Sequence, residues 1–512
     1  MRKLIALFLI VVITISAAGC TSSLSKKTAV KENNDAVKAA QNVAEKLEPG
    51  CEATSYDMNV TLDTKSNTVS GYEDITVKNN SGASLDRICL RYFAESVESK
   101  SEIVSVKDAD TQKEYSVSVE SDASCVYVTM QDEKFEDGAV KKLRVEFSTV
   151  IPKKDDRFGY HEEEFGKMYL LTFWAPQLAM YENGEWNKSP YIADGESTYN
   201  AMSNYTVHLT APEDYVIAAS GTQTKNGTET VISAPNVREM AIVACNYVTV
   251  QTETVDDITV NMYRPSYEEY NTLYDIIFAN AKEALSFYSS TVGEYIYDEL
   301  DVVPAFIAAS GMEMPGLVIE ALPVDENGKK CEVGEYTYIS AAHTVAHEIA
   351  HQWFYCAIGN DQYNEPWLDE AFADYYASYA YWNTSNEALE MTFKAAAALN
   401  TEESYDSLVS SYKTEYQQKG DLFDGIHYIN LPCNLYDAAG YSSYVYSLGA
   451  AFLRDLRSKM GDSFDEMMKN WYAENKNGIV HGSDFINEVL KYSSTDEVKT
   501  VINTYLSDEY IR

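Results

Sequence analysis

Two histidines and two glutamates stand at spacings that can build a metal site. The run His347-Glu348-Ile349-Ala350-His351 is followed, after eighteen residues, by Glu370. Residues four apart share one face of a helix, so His347 and His351 can present two imidazoles to one ion. Glu370 on a following helix can add a carboxylate, and two His, one carboxylate and an open fourth position suit a catalytic zinc ion. We therefore predict one Zn²⁺ per chain.

Glu348 projects beside the two imidazoles, where it can hold a water molecule rather than the metal. A carboxylate in that place can take a proton from an attacking water and pass it to a leaving amine. The alternative is a chance match in a core helix, because this five-residue pattern recurs in unrelated chains. Three of the seven histidines, at 343, 347 and 351, nevertheless fall together. This clustering favours a metal site, with His343 as a neighbour of the ligands and not a fourth ligand.

Two buried helices, near 340–355 and 366–382, must position these residues. Before them, apolar residues alternate with polar ones from about residue 51, as in Tyr56, Met58, Val60 and Leu62. Alternation of this kind predicts short strands, and we expect a β-sandwich or saddle-like antiparallel β domain over 51–255. From 256 to 512 the period becomes helical, which predicts a mostly helical catalytic domain and an α+β fold. The further helices are predicted at 267–291, 384–400, 446–460, 462–475, 483–491 and 495–507.

Length and charge narrow the classes of function. A chain of 512 residues has material for two or three domains with sizeable cores. Its net charge of −39 argues against nucleic acid as a partner and against an electrostatic hold on anionic lipid. Apart from Cys20 there are seven widely spaced cysteines, which form no CxxC pair. We expect buried thiols rather than a disulfide framework or a cysteine metal site.

Residues 1–20 have the features of an export signal. Arg2 and Lys3 precede an apolar run that is short for a membrane span, and the segment ends Ala17-Ala18-Gly19-Cys20. This ending resembles the bacterial lipoprotein signal, which implies lipidation of Cys20 and an extracytoplasmic protein held at the cell membrane by that anchor alone. Ordinary cleavage and release is the alternative. The polar residues 21–50 are predicted to form a tether, with a weak helix near 34–47.

Three motifs together resemble the aminopeptidase N family of gluzincin zinc peptidases. The first is the run from His347 to Phe354 with Trp367-Leu368-Asp369-Glu370-Ala371-Phe372-Ala373, and the second is Ser310-Gly311-Met312-Glu313-Met314-Pro315-Gly316. The third is Tyr446-Ser447-Leu448-Gly449-Ala450. The resemblance covers about residues 52–510. It implies an N-terminal β saddle, a thermolysin-like catalytic domain, and removal of the first residue from peptides with a free N-terminus.

The resemblance also assigns roles to residues outside the metal pattern. Tyr446 would stabilise the oxyanion of the reaction, and Glu313 would bind the substrate's α-ammonium beside the substrate-binding residues Gly311 and Met312. Asp374, four residues after Glu370, would hydrogen-bond a ligand imidazole, as the Asp at that spacing does in thermolysin-like gluzincins. Such partners fix the orientation of a metal-binding histidine.

The chain departs from the family pattern in ways that keep other functions open. Ser310, Met314 and Leu448 replace the family's Gly, Asn and Lys, and the run from Leu171 to Gln177 lacks the family's Gln-x-Glu, which supplies a second amine-binding carboxylate. A zinc endopeptidase on the same scaffold is therefore one alternative. A non-catalytic surface binding protein is another, although binding alone requires neither Glu348 nor Tyr446.

Overall fold

The computed structural model describes residues 34–43, 49–95, 100–120, 124–193, 195–325, 328–400, 404–422 and 427–512. The predicted export signal, with Cys20, lies outside the described residues. The chain forms a β part up to about residue 247 and a helical part after it, which confirms the predicted α+β class. Cys51, Cys89, Cys125, Cys245, Cys331, Cys356 and Cys433 are all free thiols, and Cys331 alone among them is not buried.

Period-two alternation builds the β part. In the strand Cys51–Asp63, the side chains of Tyr56, Met58, Val60 and Leu62 are buried while the residues between them face outward. This strand lies at the centre of a seven-stranded sheet, where it pairs antiparallel with one neighbour and parallel with Ser203–Thr210. The strands of the β part are Cys51–Asp63, Thr68–Asn79, Arg87–Arg91, Glu102–Asp108, Ser116–Val119, Cys125–Thr129, Val140–Val150, Phe158–Glu163, Gly166–Leu171, Gln177–Leu178, Tyr181–Glu182, Glu185–Trp186, Ser203–Thr210, Val216–Ala219, Thr222–Asn226, Glu229–Val237 and Ile242–Cys245.

The helical part opens with a five-stranded sheet. In spatial order its strands are Val248–Val255, Ile258–Pro265, Glu299–Ala305, Leu317–Ala321 and Gly311–Met314. The last of these, called here the edge strand, pairs antiparallel with Leu317–Ala321 and has a free outer edge. The predicted domain boundary at 255/256 falls in the turn between the first two strands, so this sheet begins at Val248.

Helices pack against that sheet and around the site. Helix Glu335–Ala350, called here the metal helix, contacts Leu317–Ala321 and the edge strand. The α-helices are Asn271–Thr291, Glu335–Ala350, Glu370–Tyr375, Glu387–Leu399, Tyr405–Gln418, Ala438–Gly440, Gly449–Met460, Asp462–Asn475, Gly482–Tyr492 and Asp496–Tyr505, with π-helical segments at Tyr376–Ala380 and Tyr441–Leu448. None of the helices in the described ranges is long and apolar enough to span a bilayer.

The first described segment, residues 34–43, forms a helix where a weak one was predicted near 34–47, and it packs on the folded body instead of forming a solvated tether. Helix Ala36–Gln41 buries Ala36, Val37 and Ala40 against the last helices of the chain. The side-chain amide of Asn34 donates to the carbonyl oxygens of Asn503 and Leu506, at 2.8 Å each. The polarity of residues 21–50 suggested a solvated segment, but three small apolar side chains on one helical face are sufficient for docking.

The buried Arg238 connects the β part to the helical part. Its guanidinium donates to the carbonyl oxygens of Tyr355 at 2.8 Å and Ala357 at 3.1 Å, and also to Gly478. A side chain at Gly359 would overlap this guanidinium, so a glycine is needed there. Buried charged groups are tolerated where all their donors are satisfied, and here carbonyl groups satisfy them across the junction.

Candidate metal centre and active site

The metal helix brings the two predicted histidine ligands together with Glu370. The Nε2 atoms of His347 and His351 are 3.0 Å apart, and Oε2 of Glu370 lies 3.1 Å from the first and 3.2 Å from the second. All three side chains are buried. Donors about 2.1 Å from a tetrahedral ion lie roughly 3.4 Å from one another. The spacing and the donor types therefore fit zinc.

A backbone carbonyl orients one of the imidazoles. Nδ1 of His351 is 3.0 Å from the carbonyl oxygen of Phe354, so the ring donates there and keeps its Nε2 lone pair for a metal. Asp374, predicted to orient an imidazole, lies beside His347, but its Oδ1 is 3.9 Å from Nδ1 of that ring. This distance exceeds that of a direct hydrogen bond. His343 contacts Ser378 Oγ at 2.8 Å and does not join the three candidate ligands.

Burial and imidazole contacts act in opposite directions on the Glu370 carboxyl. Burial raises its pKa, but the adjacent imidazoles of His347 and His351 outweigh burial, and the pKa is lowered. Glu370 is thus held as a carboxylate facing both rings. An ionised carboxylate at such depth needs a compensating cation or hydrogen bonds, which agrees with a metal position between these three side chains.

Glu348 lies against the edge strand. A Cβ atom at Gly311 would overlap the Glu348 carboxylate, so only glycine leaves room for it. Burial, together with the charge of Glu313, raises the pKa of Glu348 well above its usual range. The glycine of the second sequence motif is therefore explained by this contact.

The edge strand is fixed to the end of the metal helix by Gln352. Its amide nitrogen donates to the carbonyl of Met314 at 3.0 Å, and its amide oxygen accepts from Gly316 N at 2.9 Å. The Met312 side chain is buried in the core, and its main chain faces the paired strand Leu317–Ala321. Glu313 is buried on the site face, and its Oε1 accepts a hydrogen bond from the side chain of Gln362 at 3.2 Å.

Tyr446 reaches the site from the π-helical segment Tyr441–Leu448. Its hydroxyl donates to Oε1 of Glu370, and its ring stacks on His347 with the ring centres 5.7 Å apart. A side chain at Gly449 would overlap Ala371, so the glycine after Tyr446 lets its helix approach the Glu370 helix. π-helical turns occur mostly at functional sites, and this one delivers a hydroxyl to the metal ligands.

Comparison with known proteins relates the region of the candidate metal site to a peptidase family. The model of the peptidase family M1 domain matches residues 277–505, which include all three candidate ligands. Aminopeptidase 2 of Candida albicans is 27% identical over 231 residues, which are 43% of this chain and 23% of that protein. Aminopeptidase N of Lactobacillus delbrueckii subsp. lactis is 28% identical over 239 residues, which are 44% of this chain and 26% of that protein.

The chain thus spans about a quarter of the length of the curated relatives that it matches. The fold is shared over a longer stretch with the crystal structure of an M1 zinc metallopeptidase from Deinococcus radiodurans. The match covers 90% of this chain and 96% of the chain in that structure, with a TM-score of 0.60 and 16% sequence identity. The likeness in fold therefore extends through the β part as well as residues 277–505.

The β part brings two further carboxylates near the candidate site, and neither was predicted from the sequence. Glu196 is bound by the Arg157 guanidinium at 2.6 and 2.7 Å, and Glu239 accepts a hydrogen bond from the Tyr355 hydroxyl. Burial raises the pKa of Glu239 to about 7, and the charge of Glu313 adds to the rise. Neither residue falls in a recognisable motif, so the sequence offered no signal for them.

Tyr355 follows the metal-helix motif in a backbone conformation that usually requires glycine. Its φ is +111°, in a region that few non-glycine residues adopt. Backbone of this kind persists only where the surroundings hold it. The Tyr355 hydroxyl on Glu239 and its carbonyl on Arg238 supply two such contacts, both from the β part.

A buried ion-pair network fixes the turn before the Glu370 helix. His481 Nδ1 lies 2.7 Å from Glu365, and its Nε2 lies 3.3 Å from Glu182 of the β part. Arg512 binds the same Glu182 at 3.0 Å and also pairs with Asp361. The network joins the β part, this turn and the last helices of the chain.

The His481 network predicts a pH-dependent stability. Burial lowers the pKa of His481, but Glu182 and Glu365 outweigh burial and raise it to about 10. An unfolded histidine titrates near pH 6.5, so the folded protein holds an extra proton between these values. The stabilisation is complete below about pH 6.5 and is lost as the pH rises toward 10, at up to about 1.4 kcal/mol per pH unit. Urea unfolding at pH 6.5, 8 and 9.5 measures this slope.

The variant His481→Gln should flatten that slope. His208→Gln is the matched control, because His208 is a half-buried histidine at the surface, 3.3 Å from Glu229. The control should keep the slope of the unmodified protein. Equal slopes in the His481→Gln variant and the unmodified protein would contradict the assignment.

Proposed function

We propose that this chain is a zinc-dependent aminopeptidase that removes the first residue of peptides. One observation carries the proposal. Ligand atoms of Glu313 and His351 lie within 4.8 Å of each other, which places a carboxylate beside one of the candidate metal ligands. A fixed anion there can bind the α-ammonium of a peptide and set its first peptide bond at the metal. The names of the curated relatives, aminopeptidases, agree with this activity.

His347, His351 and Glu370 would hold the zinc ion. Bound zinc polarises a peptide carbonyl and lowers the pKa of a water toward neutral. Glu348, placed between Gly311 and the imidazoles, takes the proton of the attacking water and delivers it to the leaving amine. Burial favours a proton on this carboxyl, which suits it to hold and return that proton.

Tyr446 and Glu313 act on the two ends of the reacting residue. The Tyr446 hydroxyl, which rests on Glu370, can turn its hydrogen toward the oxygen of the carbonyl under attack as negative charge develops there. Glu313 anchors the amino group, and this anchor confines cleavage to the first bond. Gly311 has main-chain groups that face away from the paired strand Leu317–Ala321, and they can bind the backbone of a substrate.

Substituting Glu313 tests the aminopeptidase assignment. The variant Glu313→Gln should raise KM for L-alanine p-nitroanilide about 10- to 100-fold, because a hydrogen-bonded charge pair with the ammonium is lost. The zinc content should remain one per chain. Steady-state kinetics with metal analysis measures both, and Glu497→Gln, a substitution of an exposed glutamate on the last long helix, is the control.

N-terminally acetylated peptides separate the aminopeptidase from the endopeptidase. The zinc-loaded protein should cleave free-amine peptides and leave acetylated ones intact, and a chelator should abolish cleavage. Cleavage of acetylated peptides at internal bonds, with none of free-amine dipeptides, would establish the endopeptidase instead. Absence of any cleavage with zinc bound would support a binding protein.

We further propose that the enzyme works outside the cell as a lipoprotein. The proposal is supported by the sequence of residues 1–20 and its Cys20. Asn34, the first described residue, lies on the face formed by the last helices. The variant Cys20→Ser should move the protein from the membrane fraction to the soluble extracytoplasmic fraction, and unchanged membrane association would refute lipidation.

A further inference from the structure

Gln362 joins two buried carboxylates at the site. Its side-chain Nε2 donates to Oε1 of Glu313 at 3.2 Å and to Oδ2 of Asp369 at 2.8 Å. All three side chains are buried, and Asp369 directly precedes the metal-ligand candidate Glu370. Glu313, Asp369 and His351 have ligand atoms within 4.8 Å of one another. Gln362 therefore lies between the edge strand and the residues next to the candidate metal position.

A side-chain amide can donate to both carboxyl groups without adding a charge to the site. Two carboxylates so close in a buried setting repel each other, and each needs a donor. The two amide hydrogens of Gln362 can serve one carboxylate each without adding a group that titrates. The amide orientation follows from the same argument, because an amide oxygen turned toward both carboxylates would be repelled.

The hydrogen bond leaves one oxygen of Glu313 for a ligand. Gln362 occupies Oε1, and within the described chain no other side chain donates to the Glu313 carboxylate. Oε2 is then the atom that can accept from an ammonium group. Without Gln362, the Glu313 side chain could rotate its carboxylate away from Asp369, and the fixed distance to the metal position would be lost.

The backbone of Gln362 is held firmly. Its N–H donates to the carbonyl of Thr198 in the β part at 3.3 Å, and its carbonyl accepts from Cys433 Sγ at 3.3 Å. The preceding residue, Asp361, is bound by Arg512 and by Asn364 at 2.8 Å. The amide is thus presented from a turn fixed on several sides, as a preorganised contact requires.

We infer that Gln362 is a positioning residue that holds the Glu313 carboxylate with one oxygen free for the substrate's α-ammonium. This inference rests on the proposed aminopeptidase function and on the role of Glu313 in it. Gln362 touches neither the reacting bond nor the metal position, so it acts through Glu313. It contributes to substrate binding and to the choice of the first peptide bond, and not to proton transfer.

The test separates binding from catalysis. Gln362→Met keeps the length of the side chain and removes both hydrogen bonds. It should raise KM for L-alanine p-nitroanilide about tenfold, the effect of one hydrogen bond to a charged group, with kcat within about threefold and zinc content unchanged. Calorimetry in a Glu348→Gln background should show the same loss in affinity for L-alanyl-L-alanine and no change for its N-acetyl form.

A double-mutant cycle gives the decisive readout. In the Glu313→Gln background, Gln362→Met should have almost no further effect on KM, because the carboxylate that it positions is gone. Additive effects, or an unchanged KM in Gln362→Met, would overturn the inference. If that variant does not fold, Gln362→Asn, which is too short to reach both carboxylates, must show the KM increase. An unmodified protein that ignores free amines would overturn the proposed function itself.

Discussion

Replacement of Glu348 by glutamine is expected to lower kcat about 10⁴-fold, at the upper end for a general base that also returns the proton. Glutamine has nearly the shape of glutamate and fits beside Gly311, but its amide cannot take up the proton of the attacking water. KM should change little, because substrate binding depends on Glu313 and the edge strand. Steady-state kinetics together with zinc analysis measures the effect.

The zinc content of the Glu348→Gln protein should stay at one per chain, since His347, His351 and Glu370 are untouched. A matched control is Glu73→Gln, which alters a fully buried glutamate in the core of the β part. Neither carboxylate oxygen of Glu73 has a hydrogen-bond partner among the described residues. The control should keep full activity. Glu348→Gln protein that bound zinc and retained full activity would exclude Glu348 as the base.

Removal of the Tyr446 hydroxyl is expected to have the second large effect on kcat. Tyr446→Phe should lower kcat about 10²- to 10³-fold, the usual effect of removing one oxyanion donor, with KM and zinc content nearly unchanged. The phenylalanine ring can still stack on His347, so the metal ligands keep their packing. The comparison of kcat for the two proteins on one free-amine substrate gives the result.

Tyr444→Phe is the matched control for Tyr446. Tyr444 lies in the same π-helical segment, but its ring stacks on His427 and not on a metal ligand. Loss of the Tyr444 hydroxyl should leave kcat within about twofold of the value for the unmodified protein. Equal losses in the two variants would mean that this segment acts only through its packing, and Tyr446 would then have no role as an oxyanion donor.

The sequence by itself determined the metal position and the fold class. His347 and His351 are four residues apart on a single helix, so local helical geometry alone brings their imidazoles together. The alternation of Tyr56, Met58, Val60 and Leu62 likewise fixes a strand with one buried face. Both features depend on residues that are near each other in the chain, so a periodic pattern in the sequence is sufficient to predict them.

Glycine positions gave partial information. Gly311 and Gly449 stood in motifs, and their presence indicated close contact without showing the partner. The tertiary structure supplies the partners, which are the Glu348 carboxylate and Ala371. A glycine in a motif indicates that there is no room for a side chain. The residue that fills this room is distant in the sequence, so the motif does not identify it.

Only the tertiary structure showed what surrounds the metal ligands. Glu196 and Glu239 come from loops of the β part, Gln362 sits in an unremarkable turn, and helix Ala36–Gln41 docks on the far end of the chain. Asp374 was expected at hydrogen-bond distance from His347 but lies 3.9 Å away. These contacts join residues separated by tens to hundreds of positions, and they depend on how the two parts pack. Local periodicity carries no record of that packing.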